Sequence, residues 1–221
     1  MSVVTCYSCA GEFGRTGAFL IELPSQKGIQ LTMAAFMGPN TPEAELIDAC
    51  IEGQGQAFRE LVRRYEGVVA TTVVGMLGRS SDVDDVGQEV MIRLYKALPR
   101  FRRDSSLKTF ITRIAINLCL DTLRQRKRKA WQFWRSDDDQ GGMELVPDAK
   151  ELGMDVEIKQ SVNRALAALS VDYRSVALLR LVQGYSTEET AAMLGIPAGT
   201  VLSRLSRAKT QLKKELVDYV G

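Results

Sequence analysis

The chain of 221 residues contains no histidine. That absence removes imidazole general bases, the usual catalytic triads and every histidine-containing zinc site, so an enzyme is a poor first reading. Cysteine is scarce: Cys6 and Cys9 form "CYSC", and Cys50 and Cys119 lie far apart within apolar patterns. A zinc site wants four ligands, and a redox pair wants a βαβ pattern that the chain lacks, so the cysteines read as free thiols and no metal or cofactor is expected. No apolar run approaches the ~20 residues of a membrane span; the longest candidate is "VVATTVVGML". Glu12, Arg15 and Glu22 interrupt the N-terminal stretch where a secretory signal would carry an unbroken apolar core, so the expected location is cytoplasmic, without membrane insertion. Convincing β alternation, a phosphate-binding glycine loop and internal repeats are missing too.

What is present is helical periodicity and segregated charge. The net charge of +2 hides a pattern along the chain: residues 1–40 carry 0, 41–99 carry −4, 100–136 carry +9, 137–158 carry −7 and 159–221 carry +4. Two basic blocks thus flank an acidic one.

The first forty residues mix Gly, Pro, Ser and Thr without sustained periodicity and read as a flexible leader. Met33 and Met37 stand just ahead of the first convincing helix, and either could be the native start. From Thr41 the pattern turns helical, with Thr41 as cap, Pro42 in the first turn and Phe58, Leu61, Val62, Tyr65, Val68 and Val69 at core spacing. "SSDVDDVGQEVMIRLYKAL" predicts a further helix with Val86, Val90, Leu94 and Ala97 inside. In "SLKTFITRIAINLCLDTLRQRKRK" the same spacing puts Phe110, Ile114, Leu118 and Leu123 or its neighbours inside. These helices form one domain, residues 41–135. Residues 136–157 are acidic, punctuated by Gly and Pro, and read as a flexible linker; residues 158–221 form a second small helical domain. The expected fold is therefore all-α, two helical domains joined by an acidic linker.

Three constellations could carry function. Asp82, Asp84, Asp85 and Glu89 are the densest carboxylate group, but they share one amphipathic helix without converging ligands. A protein-docking surface suits them better than a magnesium site, with a plain solvated face as the alternative. "RQRKRKAWQFWR", residues 124–135, holds six cations and three aromatics. It fits either phosphate neutralisation with stacking on unpaired bases or a helix end whose cations meet the dipole while Trp131 and Trp134 finish the core. The third is "YSTEETAAMLGIPAGTVLSRLSRAKTQL". Ser186 and Glu189 make a capping box, Gly195 closes the helix they start, and Pro197 fits the first turn of the next: a helix-turn-helix. In its second helix Val201, Leu205, Ala208, Leu212 and Leu216 face inward, leaving Thr200, Ser203, Arg204, Arg207 and Lys209 for phosphates and guanine edges, with a solvated helical hairpin in a bundle as the alternative.

Taken in order, "DVDDVGQEVMIRLYKAL", "FRRDSSLKTFITRIAINLCLDTLRQRKR" and "LSVDYRSVALLRLVQGYSTEETAAMLGIPAGTVLSRLSRAKTQLKKEL" closely resemble a bacterial RNA polymerase sigma factor of the extracytoplasmic-function group, over residues 43–216. The resemblance implies a non-catalytic initiation factor. Its region 2 (residues 41–135) would dock on core RNA polymerase through Asp84, Asp85, Gln88, Glu89 and Arg93. The same region would meet the minus-10 element through Lys108, Thr109, Arg113, Asn117, Arg124, Arg126, Lys127 and Arg128, with the loop and helix from Arg102 to Asn117 capturing a flipped nontemplate base. Region 4 (residues 158–221) would read the minus-35 duplex through Thr200, Ser203, Arg204, Arg207 and Lys209. An anti-sigma factor is a further partner that the resemblance implies. Phe110 stands where the family often has Trp, and Met91 where it often has Phe. On residues alone, an autonomous helix-turn-helix regulator remains the alternative; it would bind duplex DNA without polymerase.

Overall fold

The computed structural model describes residues 2–6, 19–23, 38–135 and 154–216, with side chains at 38–132 and 160–216. Helices dominate, as expected, but the leader differs from expectation in one respect. Strand β1 (Ser2–Cys6) pairs antiparallel with β2 (Phe19–Leu23), Ser2 opposite Leu23 and Cys6 opposite Phe19. Val3, Val4, Phe19 and Ile21 are β-branched or aromatic, and five residues per strand are too few for alternation to stand out in the sequence.

The chain divides into two compact units, Met1–Ala70 with Asp84–Ile114 and Thr71–Val83 with Ala115–Gly221. In the first, helix α1 (Glu43–Ile51) follows Pro42, which sits at the cap rather than inside the first turn. Leu46, Ile47, Ala49 and Cys50 are its buried face. Helix α2 (Gly55–Leu77) begins after a turn at Gly53 and contributes buried Phe58, Leu61, Val62 and Val69, while Tyr65 and Val68 are half-buried. Helix α3 (Asp82–Ala97) buries Val86, Val90, Met91 and Leu94, and the ring of Tyr95 meets Phe58 edge-on at 5.0 Å between centroids. A 3₁₀ turn (Leu98–Arg100) then leads into a loop and helix α4 (Leu107–Arg135).

Glu60 organises the start of this unit. Although charged, it is buried, and its carboxylate accepts two hydrogen bonds from Arg63 at 2.8 Å and one from Arg64 at 2.8 Å. Arg64 in turn donates to the carbonyls of Pro39 (2.9 Å) and Thr41 (2.7 Å), fastening the approach to α1. The Arg63 hydrogen bonds, with help from Arg64, hold the Glu60 carboxyl down to about 2 against the opposing effect of burial.

The α4 stripe is rotated from the one expected. Leu107, Ile111, Ala115, Ile116, Leu118 and Cys119 are buried, whereas Phe110, Ile114 and Leu123 are only half-buried. Thr109 and Thr112 are buried with the apolar set, which the apolar spacing could not reveal. Burial pushes the thiols of Cys50 and Cys119 up to about 12, so both are neutral packing groups.

The division into units cuts α2, α3 and α4. The far ends of α2 and α4 fall in the second unit, and the end of α2 contacts the C-terminal helices directly. Leu178 packs so closely on Gly75 that a Cβ there would lie 2.6 Å from Leu178 Cδ1. Arg174 donates to the carbonyls of Met76 (2.6 Å) and Leu169 (3.0 Å), and Gln183 donates to Thr72 Oγ1 at 2.6 Å. Burial lowers the Arg174 pKa from its ordinary value without removing its charge, so these carbonyls carry its compensation.

The rest of this unit consists of α5 (Met154–Ala168), α6 (Val171–Ala177), a π turn (Leu178–Val182), α7 (Thr187–Leu194) and α8 (Ala198–Glu215). Helix α5 begins at Met154, inside the segment read as linker. Residues 136–153, with Asp137, Asp138 and Asp139, lie outside the described residues. Val176, Val201 and Leu205 form one buried cluster under Ala191, Leu194 and Ile196, and Leu179, Tyr185 and Met193 form another. These anchor α8 by its inner face.

Candidate nucleic-acid and protein interfaces

The helix-turn-helix is built as its residues dictate. Ser186 Oγ accepts from the Glu189 amide at 3.0 Å, and the Glu189 carboxylate accepts from the Ser186 amide at 2.7 Å, closing the capping box. Gly195 takes φ +64°, a left-handed conformation that costs a side-chain-bearing residue about 1 kcal/mol. Pro197 occupies the cap of α8, one position ahead of the first turn.

With Val201, Leu205 and Ala208 buried, α8 turns Ser203, Arg207 and Lys209 outward, while Thr200 and Arg204 are half-buried. Two of these cations already have partners on α6. Arg204 Nη2 is 3.2 Å from the Asp172 carboxylate, and Arg207 Nη1 donates to the Tyr173 hydroxyl at 3.3 Å. That hydroxyl raises the Arg207 pKa further above its usual value. Asp172 and Tyr173 were not foreseen, because nothing local in the sequence links the start of α6 to α8. The face therefore presents cations and hydroxyls suited to phosphate and base edges, with two arginines already oriented.

On α3, Asp84, Asp85 and Arg93 are exposed and Gln88 and Glu89 half-buried, all on the side away from Val86, Val90 and Leu94. Arg93 Nε and Glu89 Oε1 pair at 2.7 Å across one helical turn, which contributes only about 0.3–0.5 kcal/mol at such exposure. The carboxylates do not converge, and among the described residues no group of three His, Cys, Asp or Glu side chains could hold a metal ion.

Helix α4 splits the third set. In the first unit Lys108 and Arg113 are exposed, but Thr109 is buried and its hydroxyl lies 2.9 Å from Ser106 Oγ, part of the cap that starts the helix. In the second unit Asn117, Arg124, Lys127 and Arg128 are exposed. Steps of four, three, four and three bring Asn117, Asp121, Arg124, Arg128 and Trp131 onto one stripe. Arg126 is turned away, pairing with Asp82 and donating to Ser80 Oγ at 2.7 Å, and Arg124 pairs with Asp121 at 2.9 Å. Trp131 is 68% exposed beside Lys127 and Arg128, so it does not finish a core; Trp134 lies outside the described side chains.

Comparison with known proteins decides the family. The model of sigma-70 region 2 matches residues 61–129, and that of sigma-70 region 4 matches residues 159–212. The chain is 33% identical over 179 residues to the ECF RNA polymerase sigma factor SigM of Mycobacterium tuberculosis, covering 81% of this chain and 86% of that protein. It is 33% identical over 189 residues to the ECF RNA polymerase sigma-E factor of Escherichia coli, covering 81% of this chain and 97% of that one. The chain belongs to the extracytoplasmic-function sigma factors.

Solved structures agree in fold. This sigma factor superposes on CnrH in its complex with the cytosolic domain of CnrY with a TM-score of 0.56 at 24% identity, covering 81% of this chain and 99% of that one. It superposes on RpoE of Bartonella quintana, in complex with the anti-sigma factor NepR, with a TM-score of 0.59 at 23% identity, covering 72% and 96%. The residues singled out on α3 and α4 fall inside the region 2 match of the sigma factor, and those on α8 inside its region 4 match. No helix among the described residues is long and apolar enough to cross a membrane.

Proposed function

We propose that this sigma factor directs initiation by dividing the work among three surfaces. Helix α8 reads the minus-35 duplex through Thr200, Ser203, Arg204, Arg207 and Lys209. Helix α4 and the loop before it take the minus-10 element, with Arg113, Asn117, Arg124, Lys127 and Arg128 along the exposed side and Thr109 and Arg126 supporting the structure behind. Helix α3 docks on core polymerase through Asp84, Asp85, Gln88, Glu89 and Arg93. The observation that carries this reading is the α8 face: a rigidly capped helix-turn-helix whose cations stand opposite a buried apolar stripe. Its scale suits the task, since a bidentate arginine–guanine contact discriminates by about 1–3 kcal/mol.

The protein acts in the cytoplasm, has no catalytic residues of its own, and is held inactive by an anti-sigma factor. The solved neighbour in complex with the anti-sigma factor NepR supports that partner. The acidic segment 137–158, at −7, is repelled by DNA and suits a basic polymerase channel. Substituting Arg204 and Asn117 separately tests the division. Arg204→Ala should weaken closed-complex formation, whereas Asn117→Ala should spare polymerase and duplex binding and reduce strand opening. Loss of the same step in both variants would contradict separate roles.

A further inference from the structure

The loop between the 3₁₀ turn and α4 is pinned at both ends but held at one point in its middle. At its entry, the Phe101 ring lies 4.9 Å from that of Phe110. At its exit, Ser106 Oγ accepts from the Thr109 amide at 3.1 Å and so caps α4. Between these, Arg103 takes φ +60°, the one non-glycine residue with positive φ among those described. Its guanidinium pairs with the Asp48 carboxylate on α1, fifty-five residues away in sequence. Among the described residues no other side chain tethers the stretch from Arg102 to Ser105, and Arg102 and Asp104 remain exposed.

An arginine has no intrinsic reason to sit in the left-handed region, where its Cβ crowds the following carbonyl. Such outliers persist where surrounding structure over-determines them, and they cluster at binding and switch elements. Here the compensating contact is an exposed ion pair, whose own contribution corresponds to no more than about fivefold in an equilibrium, about 1 kcal/mol. Cost and compensation are therefore close in size. The loop is set in one conformation by a small margin, and Asp48 supplies that margin.

We infer that Asp48 is a positioning residue for promoter opening: by pairing with Arg103 it fixes the loop from Phe101 to Ser106 before DNA arrives. This inference rests on the reading of that loop as the element that takes an unpaired minus-10 base. A pre-ordered loop accepts a flipped base without paying its own ordering entropy at that step.

The test uses the full-length protein assembled with core polymerase on a promoter it transcribes, with permanganate reactivity of melted thymines as readout. D48N should leave core affinity and closed-complex formation within twofold of wild type, leave the thermal midpoint unchanged and lower open-complex occupancy about three- to fivefold. The reversed pair D48R/R103D should restore opening, since it remakes the ion pair and aspartate tolerates the left-handed region better than arginine. Normal opening by D48N, failure of the reversed pair, or a loss that tracks a fall in thermal midpoint would each overturn the positioning role. A loop replaced by glycine from Arg102 to Ser105 separates the underlying reading: if that variant opens promoters normally, the loop does not take the base at all.

Discussion

Glu60 offers the sharpest physical test of the first unit, because a single proton should undo its network. One carboxylate oxygen accepts from Arg63 Nε, and the other from Arg63 Nη2 and Arg64 Nε, all at 2.8 Å. In Glu60→Gln one of these oxygens is replaced by an amide NH2 that cannot accept, so at least one part-buried guanidinium N–H loses its carboxylate partner. The folded pKa lies at about 2 against an ordinary 4.5, chiefly through the Arg63 hydrogen bonds. The full shift would correspond to about 3 kcal/mol. The half-exposed Arg63 side chain screens it, and about 1–2 kcal/mol is the expected contribution. Because the folded pKa is depressed, this stability is fully present above about 4.5 and is lost as pH falls through the folded value near 2. Urea unfolding of wild type and variant across pH 7 to pH 3 measures it. The two should differ by about 1–2 kcal/mol at neutral pH and converge on acidification. Curves that stay parallel, or a variant as stable as wild type at pH 7, would refute the role given to Glu60. The consequence reaches function, since Arg64 ties the carbonyls before α1, and α1 carries Asp48.

Three further outcomes are expected. Arg207→Ala should weaken binding to minus-35 duplexes evenly across sequences and reduce its salt dependence by one contact if Arg207 meets a phosphate; a sequence-selective loss of about 1–3 kcal/mol, read by competition binding, would instead assign it to a guanine edge. Ser186→Ala removes half of the capping box and should destabilise the C-terminal helices by about 1 kcal/mol in thermal or denaturant unfolding; a variant within 0.3 kcal/mol of wild type would contradict the cap's role. Neutralising Asp137, Asp138 and Asp139 should change the ratio of abortive to full-length RNA, and unchanged yields of both would count against a charge-based role for the acidic segment.

Much of the interface geometry was legible where local chemistry forces it. The capping box at Ser186, the left-handed Gly195 and the stripe Val201, Leu205, Ala208 together fix which side of α8 faces outward, so its candidate residues could be read directly. The same holds for α3, where Val86, Val90 and Leu94 leave the carboxylates outside. Legibility fails where two apolar faces compete. On α4 the buried set includes Thr109 and Thr112, whose hydroxyls count as polar in any periodicity, so the inner face was placed on Phe110 and Ile114 instead of Ile111 and Ala115. Long-range pairs were invisible for a different reason: Arg103 with Asp48, Arg204 with Asp172 and Arg126 with Asp82 join residues 32 to 55 positions apart, and no local rule selects either partner. Nor does an arginine announce a left-handed backbone.

The central claim, that this sigma factor directs polymerase to promoters through the α8 and α4 surfaces, is tested most directly by adding the purified protein to core RNA polymerase and mapping transcript starts on fragmented genomic DNA. The account predicts discrete new starts, each preceded by shared minus-35 and minus-10 elements, and loss of those starts with Arg204→Ala. Polymerase that neither binds the protein nor gains new starts, in a preparation free of any anti-sigma protein, would contradict it.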